Sequence, residues 1–408
     1  MASVFFYHVV GDLTVAKPEL VEFVETETVE SAIRAIGEST ESGIPVWRRR
    51  SQKGMVETSE IRQMRFVGIL NSLDILAFLA RDWCLEDQEK AMKTPVSEIV
   101  VPNNTLLKEV DPATRLIDAL EMMKQGVKRL LVPKGGPWKG VSKKFSILYN
   151  GRWLKNAASN ANGIAVNANQ PSSSTSIRTK FCCLSREDVI RFLIGCLGAL
   201  APIPLSSISM LGAVNPNYCF VETSFPAIEA IQKLPHDPST VAVVDLTPDG
   251  ERKIVGEISA CKLGKCDYLA AAYALSNLSA GQFVMGVEDH VASRCTPDVA
   301  VNVAAGDSSV GDGGVSMRLR RFSSRSIGFF GNAISPCGTS ARSMYRGRIA
   351  PLTCKATSSL AAVMAQMLSH RATHVWVTEG ENEDILVGVV GYADILYAVT
   401  RQPPAIAS

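Results

Sequence analysis

The chain has 408 residues, enough for two to four domains at roughly 100–200 residues each. Hydrophobic residues make up 46% of it and charged residues 20%, a globular composition that excludes a collagen-like or wholly disordered protein. The 42 Lys and Arg against 40 Asp and Glu leave a net charge of +2, so the chain lacks a broad basic field and nucleic acid is not the expected partner.

The N-terminal stretch carries no basic residue before its apolar run and meets Asp12 soon after, unlike a secretory signal. The most apolar segment, 192–205, is interrupted by two prolines and is shorter than the about 20 residues that a bilayer requires. The 10 Cys include no CxxC pair, and no His lies near Cys261 and Cys266, which argues against a zinc site and a secreted disulfide framework. We therefore expect a cytoplasmic protein, with the nucleus as the alternative, and no membrane span and no metal.

One apolar pattern recurs along the chain. Residues 10–24 and 96–110 share it, and each stretch leads to a helix-start signal, Thr28 or Thr114, and then to an amphipathic helix and a short strand. The pattern returns from Thr357, and a weaker copy precedes it. Each copy closes with a second strand that opens another helix. The predicted unit is helix, strand, strand, helix, an α+β layer too small to be stable alone, so pairing of units is expected.

We predict four domains and two low-complexity stretches. The domains occupy residues 10–86, 96–205, 213–285 and 349–402, of which the third is degenerate. Residues 155–180 hold five Asn and five Ser with no acid and no aromatic residue, and are predicted to be a disordered insertion in the second domain. Residues 286–348 form a predicted disordered loop rich in Ser, Gly and Arg.

The basic loop contains candidate modification sites. Arg320 precedes Ser323 at the spacing favoured by basophilic kinases, and Ser326 follows in the same Arg-rich stretch, where a phosphate would lie among paired guanidinium groups. Ser323 and Ser326 are therefore predicted phosphorylation sites. The alternative is a solvated loop in which the spacing arose by chance.

The motifs resemble a known family. TRLIDALEMMKQGVKRLLVP followed by CCLSREDVI, together with VGILNSLDIL and LVGVVGYADIL, is similar to cystathionine-β-synthase (CBS) domains. In that family a Thr-led helix and a strand precede a last strand that opens the final helix at a T-x-x-D motif. With four copies, the chain resembles the plant CBSX group. The resemblance implies an α+β fold of tandem CBS domains paired into two Bateman modules, first with second and third with fourth.

The resemblance also implies a ligand, an adenosine nucleotide such as AMP, ADP or ATP. In the family the hydroxyl of the motif contacts a phosphate and the Asp accepts from the ribose, and the free N–H groups of a helix N-terminus suit an anion. Ser185 and Asp188 keep both positions, whereas the first domain has Asn71 with Asp74. The fourth keeps Asp394 after a glycine, and the third has no acid there. The alternative is that these are first-turn acids favoured by the helix dipole.

Basic residues before the first strand contact phosphates in kinase gamma subunits, which also carry CBS domains. Lys128, Arg129 and His374 match those places by the resemblance and are further nucleotide-binding candidates. Arg129 has an alternative role in an ion pair with another repeat, and His374 has one as a packed histidine.

No Walker A sequence, dinucleotide-binding glycine motif or nucleophile elbow is present, and no residue set forms a catalytic constellation. We predict no enzyme and no catalytic cofactor. The predicted function is a regulatory or scaffold protein that senses an adenosine nucleotide and acts in trans on a protein partner. The resemblance implies a kinase complex as that partner and allows a homo-oligomer. The alternative is a ligand-free interaction module with vestigial nucleotide clefts.

Overall fold

The computed structural model of the protein describes residues 4–15, 17–39, 41–50, 58–134, 146–149, 152–155, 180–235, 237–286, 350–379 and 384–401. The predicted insertion and the predicted 286–348 loop lie outside these residues except at their ends, as do Ser323 and Ser326. Within the described ranges, no helix combines the length and the apolar character needed to cross a bilayer.

Side-chain caps fix the start of the first helix in two of the repeats. Thr28 accepts a hydrogen bond from the amide of Ser31 at 3.2 Å, and Ser359 caps the corresponding helix of the fourth repeat. In the second repeat the cap position is Arg115, one residue after Thr114, and its side chain makes no cap bond. The predicted start signal is therefore one residue early in that repeat.

Helices and short strands alternate along the chain. The first repeat and the segments around it contain α1 (Val4–Tyr7), α2 (Val10–Leu13), β1 (Phe23–Val24), α3 (Val29–Glu38), β2 (Gly43–Trp47), α4 (Ser59–Arg65), β3 (Phe66–Asn71), α5 (Ser72–Leu79), α6 (Asp82–Glu86) and α7 (Gln88–Lys93). The second contains β4 (Leu107–Glu109), α8 (Leu116–Lys124), β5 (Arg129–Pro133), β6 (Ser146–Tyr149), β7 (Arg152–Lys155), β8 (Phe181–Ser185), α9 (Arg186–Gly195) and α10 (Leu197–Leu200). The third contains β9 (Phe220–Glu222), α11 (Ile228–Gln232), β10 (Thr240–Leu246), β11 (Arg252–Ser259), α12 (Ala260–Leu263), α13 (Tyr268–Asn277) and α14 (Ala280–Met285), and the fourth contains β12 (Thr353–Lys355), α15 (Leu360–His370), β13 (His374–Glu379), β14 (Ile385–Gly391) and α16 (Tyr392–Thr400).

Each repeat has a short strand before its first helix that the sequence does not predict, and the second repeat also contains the two-stranded sheet of β6 and β7. A strand of two or three residues, such as β1, precedes the first helix and pairs in parallel with the next strand, which pairs antiparallel with the last one. The short strand carries too few residues to show an alternating pattern, so periodicity does not reveal it. The unit is therefore strand, helix, strand, strand, helix.

The repeats pair through their sheets as the family resemblance implies. Trp47 and Phe66 of the first repeat pack against Leu107 and Leu131 of the second, and all four are buried. In the third and fourth repeats, a corresponding cluster forms around the buried Trp376. There the two sheets also join into one six-stranded sheet with the order β12-β13-β14-β11-β10-β9, through the pairing of β11 with β14. These are the two Bateman modules.

The helices join the two modules. One buried cluster combines α3 and α5 of the first repeat with α13 of the third, and another combines α8 and α9 of the second with α15 and α16 of the fourth. Hydrogen bonds cross the first boundary, where the hydroxyl of Ser72 donates to the carbonyl of Ala260 at 2.8 Å. The first repeat thus faces the third, and the second faces the fourth.

The segments that link the repeats pack on the neighbouring repeat. Val9, before the first repeat, forms an antiparallel bridge with Arg115 of the second, and Ser207, before the third, bridges to Ser359 of the fourth. The N-terminal segment therefore crosses the helices of the second repeat before the chain enters β1. This crossing places residues near position 17 beside the second repeat.

Leu76 tests the boundary between the modules, because its fully buried side chain lies in the cluster shared by the first and third repeats. We expect Leu76→Ala to lower the free energy of unfolding by about 2–5 kcal/mol through the lost burial and the cavity left behind. The matched control is Leu246→Ala, whose side chain is half exposed and should cost much less. Denaturant unfolding measures both, and equal losses would contradict this packing.

Candidate functional site

The ends of the last strands of the repeats converge on a cavity at the centre of the molecule. Every repeat contributes to its wall. The first contributes Glu41, Ser42, Gly43, Ile69 and Asn71, the second Lys128, Arg129, Ser185, Arg186 and Glu187, the third Asp237, Pro238, Ser239 and Ala260, and the fourth Thr373 and Tyr392. Four of the residues predicted from the sequence, namely Asn71, Lys128, Arg129 and Ser185, therefore lie in one wall.

The cavity carries three cationic side chains, which meet acids of other repeats. The guanidinium of Arg129 lies 2.6 Å from Glu41 and donates to the carbonyl of Gly43 at 3.2 Å. Arg186 pairs with Asp237 of the third repeat. Burial lowers the pKa of Lys128, and the nearby guanidinium groups add to this, while Asp237 opposes it. The centre is thus a crowded charged environment in which acidic and basic side chains of different repeats meet.

The final helix of three repeats begins with a reciprocal cap. The side chain of Asn71 accepts from the amide of Asp74, and Asp74 accepts from the amide of Asn71 at 2.9 Å. The same box joins Ser185 to Asp188 and, without a side-chain acceptor, Gly391 to Asp394. These caps explain locally why an acid stands three residues after the strand end.

Asp74 and Asp394 stand in an environment that disfavours their charge. Burial raises the pKa of each from an ordinary 3.8 to about 6, and the backbone amide that each accepts only partly offsets this. Among the described residues, neither carboxylate forms an ion pair within 4 Å. Their caps leave acceptor capacity on each carboxylate.

Asp188, in contrast, has an internal cation. The ammonium of Lys17 lies 2.7 Å from its Oδ2, which also accepts from the amide of Ser185 at 2.8 Å and from its hydroxyl at 3.0 Å. Arg191 lies 3.5 Å from Oδ1. Both oxygens of the best family match are therefore engaged within the protein.

The third repeat offers no such carboxylate. Ser259 is buried and donates to Glu257 at 3.2 Å, and Lys262, which stands in place of the acid, lies 4.0 Å from the same side chain. His374 is fully buried, with its Nε2 3.0 Å from Glu257, and Trp376 donates to that carboxylate at 2.5 Å. The structure thus places His374 in a buried pair between the third and fourth repeats, while its neighbour Thr373 lines the cavity.

Sequence reasoning missed the acids that face the basic candidates. Glu41 and Asp237 line the cavity but belong to no local motif, because their partners come from other repeats. Glu187 also lines it and pairs with Arg191 of its own helix. It also missed Lys17. In the alignment of residues 10–24 with 96–110 its counterpart is Asn103, another polar residue, so the sequence carries no signal for it.

The site has the groups to hold a ligand. Carboxylate oxygens suit the donors of a diol, and buried cations suit a phosphate. Within the ranges that the structure covers, no three His, Cys, Asp or Glu side chains cluster as metal ligands.

Asp74→Asn and Asp188→Asn should change stability in opposite directions. Because the pKa of Asp74 is raised to about 6 by burial, the folded state loses stability as the pH rises from about 4 to 6. Asp74→Asn removes that cost and should raise the unfolding free energy by roughly 1–2 kcal/mol at neutral pH, with no gain near pH 4. Asp188→Asn weakens the buried pair with Lys17 and should cost about 3 kcal/mol.

Denaturant unfolding at neutral and acidic pH measures both variants. A loss for Asp74→Asn at neutral pH as large as that for Asp188→Asn would show that Asp74 acts only as a helix cap.

Comparisons with known proteins identify the family of the chain. A family model for the CBS domain matches residues 347–401. The CBS domain-containing protein CBSX6 of Arabidopsis thaliana is 67% identical over 99% of this chain and 96% of its own length. The SNF1-related protein kinase regulatory subunit gamma-like PV42b of the same plant is 23% identical over 96% of this chain and 94% of its own.

A solved structure shares the whole fold. Protein MJ1225 of Methanocaldococcus jannaschii superimposes with a TM-score of 0.51 at 12% identity, covering 95% of this chain and 98% of that one. The resemblance of the motifs to the plant CBSX group is confirmed by the 67% identity. The chain therefore belongs to the family of CBS domain-containing proteins.

Proposed function

We propose that the protein is a non-catalytic regulatory protein that binds an adenosine nucleotide at the cap of the first repeat and thereby changes the surface it presents to a partner protein. The observation that carries the proposal is the carboxylate of Asp74. It accepts from the backbone amide of Asn71, a residue that lines the central cavity, in surroundings that raise its pKa. A ribose diol would supply the donors that this carboxylate lacks.

The cost of Asp74 to the fold supports a ligand role. A helix cap needs no ionised acid, since the Asn71 side chain already accepts from the amides of Leu73 and Asp74. An acid kept where burial opposes its charge is typical of a binding site, because function retains groups that stability alone would remove.

The phosphate end of the ligand has a matching place. Lys128, one repeat away, acts on Asp74 electrostatically and lines the same cavity as Asn71. Its lowered pKa reflects burial among Arg129 and Arg186, so a phosphate would relieve repulsion between cations there. The Asp74 carboxylate and the cations together match one kind of ligand, a sugar diol joined to an anion.

The class of partner protein is inferred from a relative of the chain. The PV42b protein is described as a gamma-like regulatory subunit of an SNF1-related protein kinase, and it covers nearly the whole of this chain. A kinase complex regulated in trans is accordingly the partner that we propose. The binding of a nucleotide that bridges repeats would bias their relative packing, which is how a ligand changes a distant surface.

A second function is favoured by one observation. Asp188 and Arg129 already have partners inside the protein, Lys17 and Glu41. If every cleft were satisfied in this way, the protein would be a ligand-free interaction module with a fixed surface.

Calorimetric titration of the full chain with AMP, ADP and ATP separates the two. Under the proposed function we expect saturable binding, and Asp74→Asn should weaken it about tenfold or more because the contact with the ribose is lost. Asp118→Asn is the matched control, since Asp118 also stands in the first turn of a helix but is partly exposed and paired with Arg115. It should bind like the unmodified chain.

The absence of heat with all three nucleotides at millimolar concentration would refute nucleotide sensing and favour the interaction module. Equal weakening in both variants would show that the first-repeat cap is not the contact.

A further inference from the structure

Lys17 lies on the linker that crosses the second repeat. The amide of Leu20 donates to the carbonyl of Phe181 in the last strand of that repeat at 2.7 Å, and the amide of Asn103 donates in the same way to Val67 in the first repeat. Phe181 and Val67 each stand four residues before the cap residue of their repeat, Ser185 or Asn71. The two linkers therefore run in the same register along two clefts, one at the cap residue Ser185 of the second repeat and one at the cap residue Asn71 of the first.

This register makes Lys17 the counterpart of an apolar residue. Lys17 stands three residues before Leu20, and Val100 stands three before Asn103.

The linker residue at the corresponding place of the fourth repeat is also apolar. Val100 lies beside Gly68, and Val214 lies beside Gly388, and each of these glycines stands three residues before its cap residue. Of the three clefts that retain an acid, the second alone among the described residues has a linker lysine instead of a valine.

The lysine is fixed in the cleft by charge. Its side chain is 9% exposed, and its Nζ lies 2.7 Å from Asp188 and 3.1 Å from Glu41. Burial by itself would lower the pKa of Lys17, but the charges of Asp188 and Glu41 outweigh it, so the pKa stands above its ordinary value and the ammonium is retained. A second lysine, Lys134, donates to the backbone carbonyl of Lys17 and holds the linker in place.

The contacts of the ammonium are those that a bound diol would need. A ribose hydroxyl would have to donate to Asp188, whose Oδ2 already accepts from Lys17 and from Ser185. A ligand entering here would leave Lys17 without its partners in a buried site, which is unfavourable unless the linker moves.

We propose that Lys17 is the built-in occupant of the second cleft and determines which cleft of the first module accepts a nucleotide, closing the one at Asp188 and leaving the one at Asp74 open. The inference rests on the proposed function, since it takes the adenosine nucleotide as the ligand class. It assigns a role to a residue outside the T-x-x-D motif.

The test is calorimetric titration of the full chain with AMP, comparing the unmodified protein with Lys17→Met. Methionine keeps the length of the side chain and removes its charge. We expect the variant to bind one more equivalent of AMP than the unmodified chain, and Asp188→Asn in the same variant should remove that equivalent. Lys93→Met is the control, since Lys93 forms an exposed pair with Glu89, and it should leave the stoichiometry unchanged.

A second variant and a crystal structure test the proposal even if Lys17→Met does not fold. Lys17→Met combined with Glu41→Gln removes one positive and one negative charge together, so the buried charges stay balanced, and it should show the same extra equivalent. A crystal structure of the unmodified chain with AMP, which depends on no variant, should show Lys17 still on Asp188. AMP with its ribose at Asp188 in that crystal would overturn the proposal.

The outcomes for the two proposals differ. Binding by the unmodified chain without a gain in folded Lys17→Met overturns the role of Lys17 and leaves the proposed function standing. If the unmodified chain does not bind AMP and Lys17→Met does, the proposed function is refuted and the role of Lys17 is supported. If neither the unmodified chain nor Lys17→Met binds AMP, both proposals are refuted.

Discussion

The architecture depends on one constraint, that a single repeat cannot cover its own apolar surfaces. Its sheet is apolar on the face where Trp47 and Phe66 lie, and its helices are apolar on the face where Leu76 lies. The sheet face is covered by the partner within the module, and the helix face by a repeat of the other module. Since each repeat meets both neighbours, the ends of the last strands converge on one point, and the cavity is a result of the packing.

The convergence brings charges of four repeats into a small volume, and their pairing differs from cleft to cleft. Arg129 and Arg186 are matched by acids from other repeats, and Asp188 is matched by Lys17. Asp74 and Asp394 are not matched in this way among the described residues, and burial raises their pKa. The same capping motif therefore serves as a satisfied structural element in one repeat and as an open acceptor in another.

Patterns within a repeat could be predicted from the sequence, and contacts between repeats could not. The apolar spacing of Val29, Ala32 and Ile36 predicted a helix face, and the spacing of Ser185 and Asp188 predicted a strand end that opens a helix, because both signals depend on neighbours in the chain. The family resemblance added the pairing of the repeats. The pKa shift of Asp74 was not accessible, since it depends on burial by side chains from elsewhere in the fold.

His374 and Lys17 show why the rest was out of reach. His374 occupies a position that suggested a phosphate contact, but its ring turns to Glu257, which lies on the last strand of the third repeat. Lys17 has no motif around it, and its partners Glu41 and Asp188 belong to two different repeats. In both cases the deciding partner is an acid whose proximity arises from the packing of repeats.

The two modules differ in how their sheets meet. Within the described residues, the sheets of the first and second repeats touch through side chains, whereas those of the third and fourth are also tied by backbone pairing at Lys253 and Ile385. The second module thus carries one continuous sheet across its two repeats, whereas the halves of the first module, which holds Asp74 and Lys17, are joined by side chains and by the hydrogen bonds of the linkers.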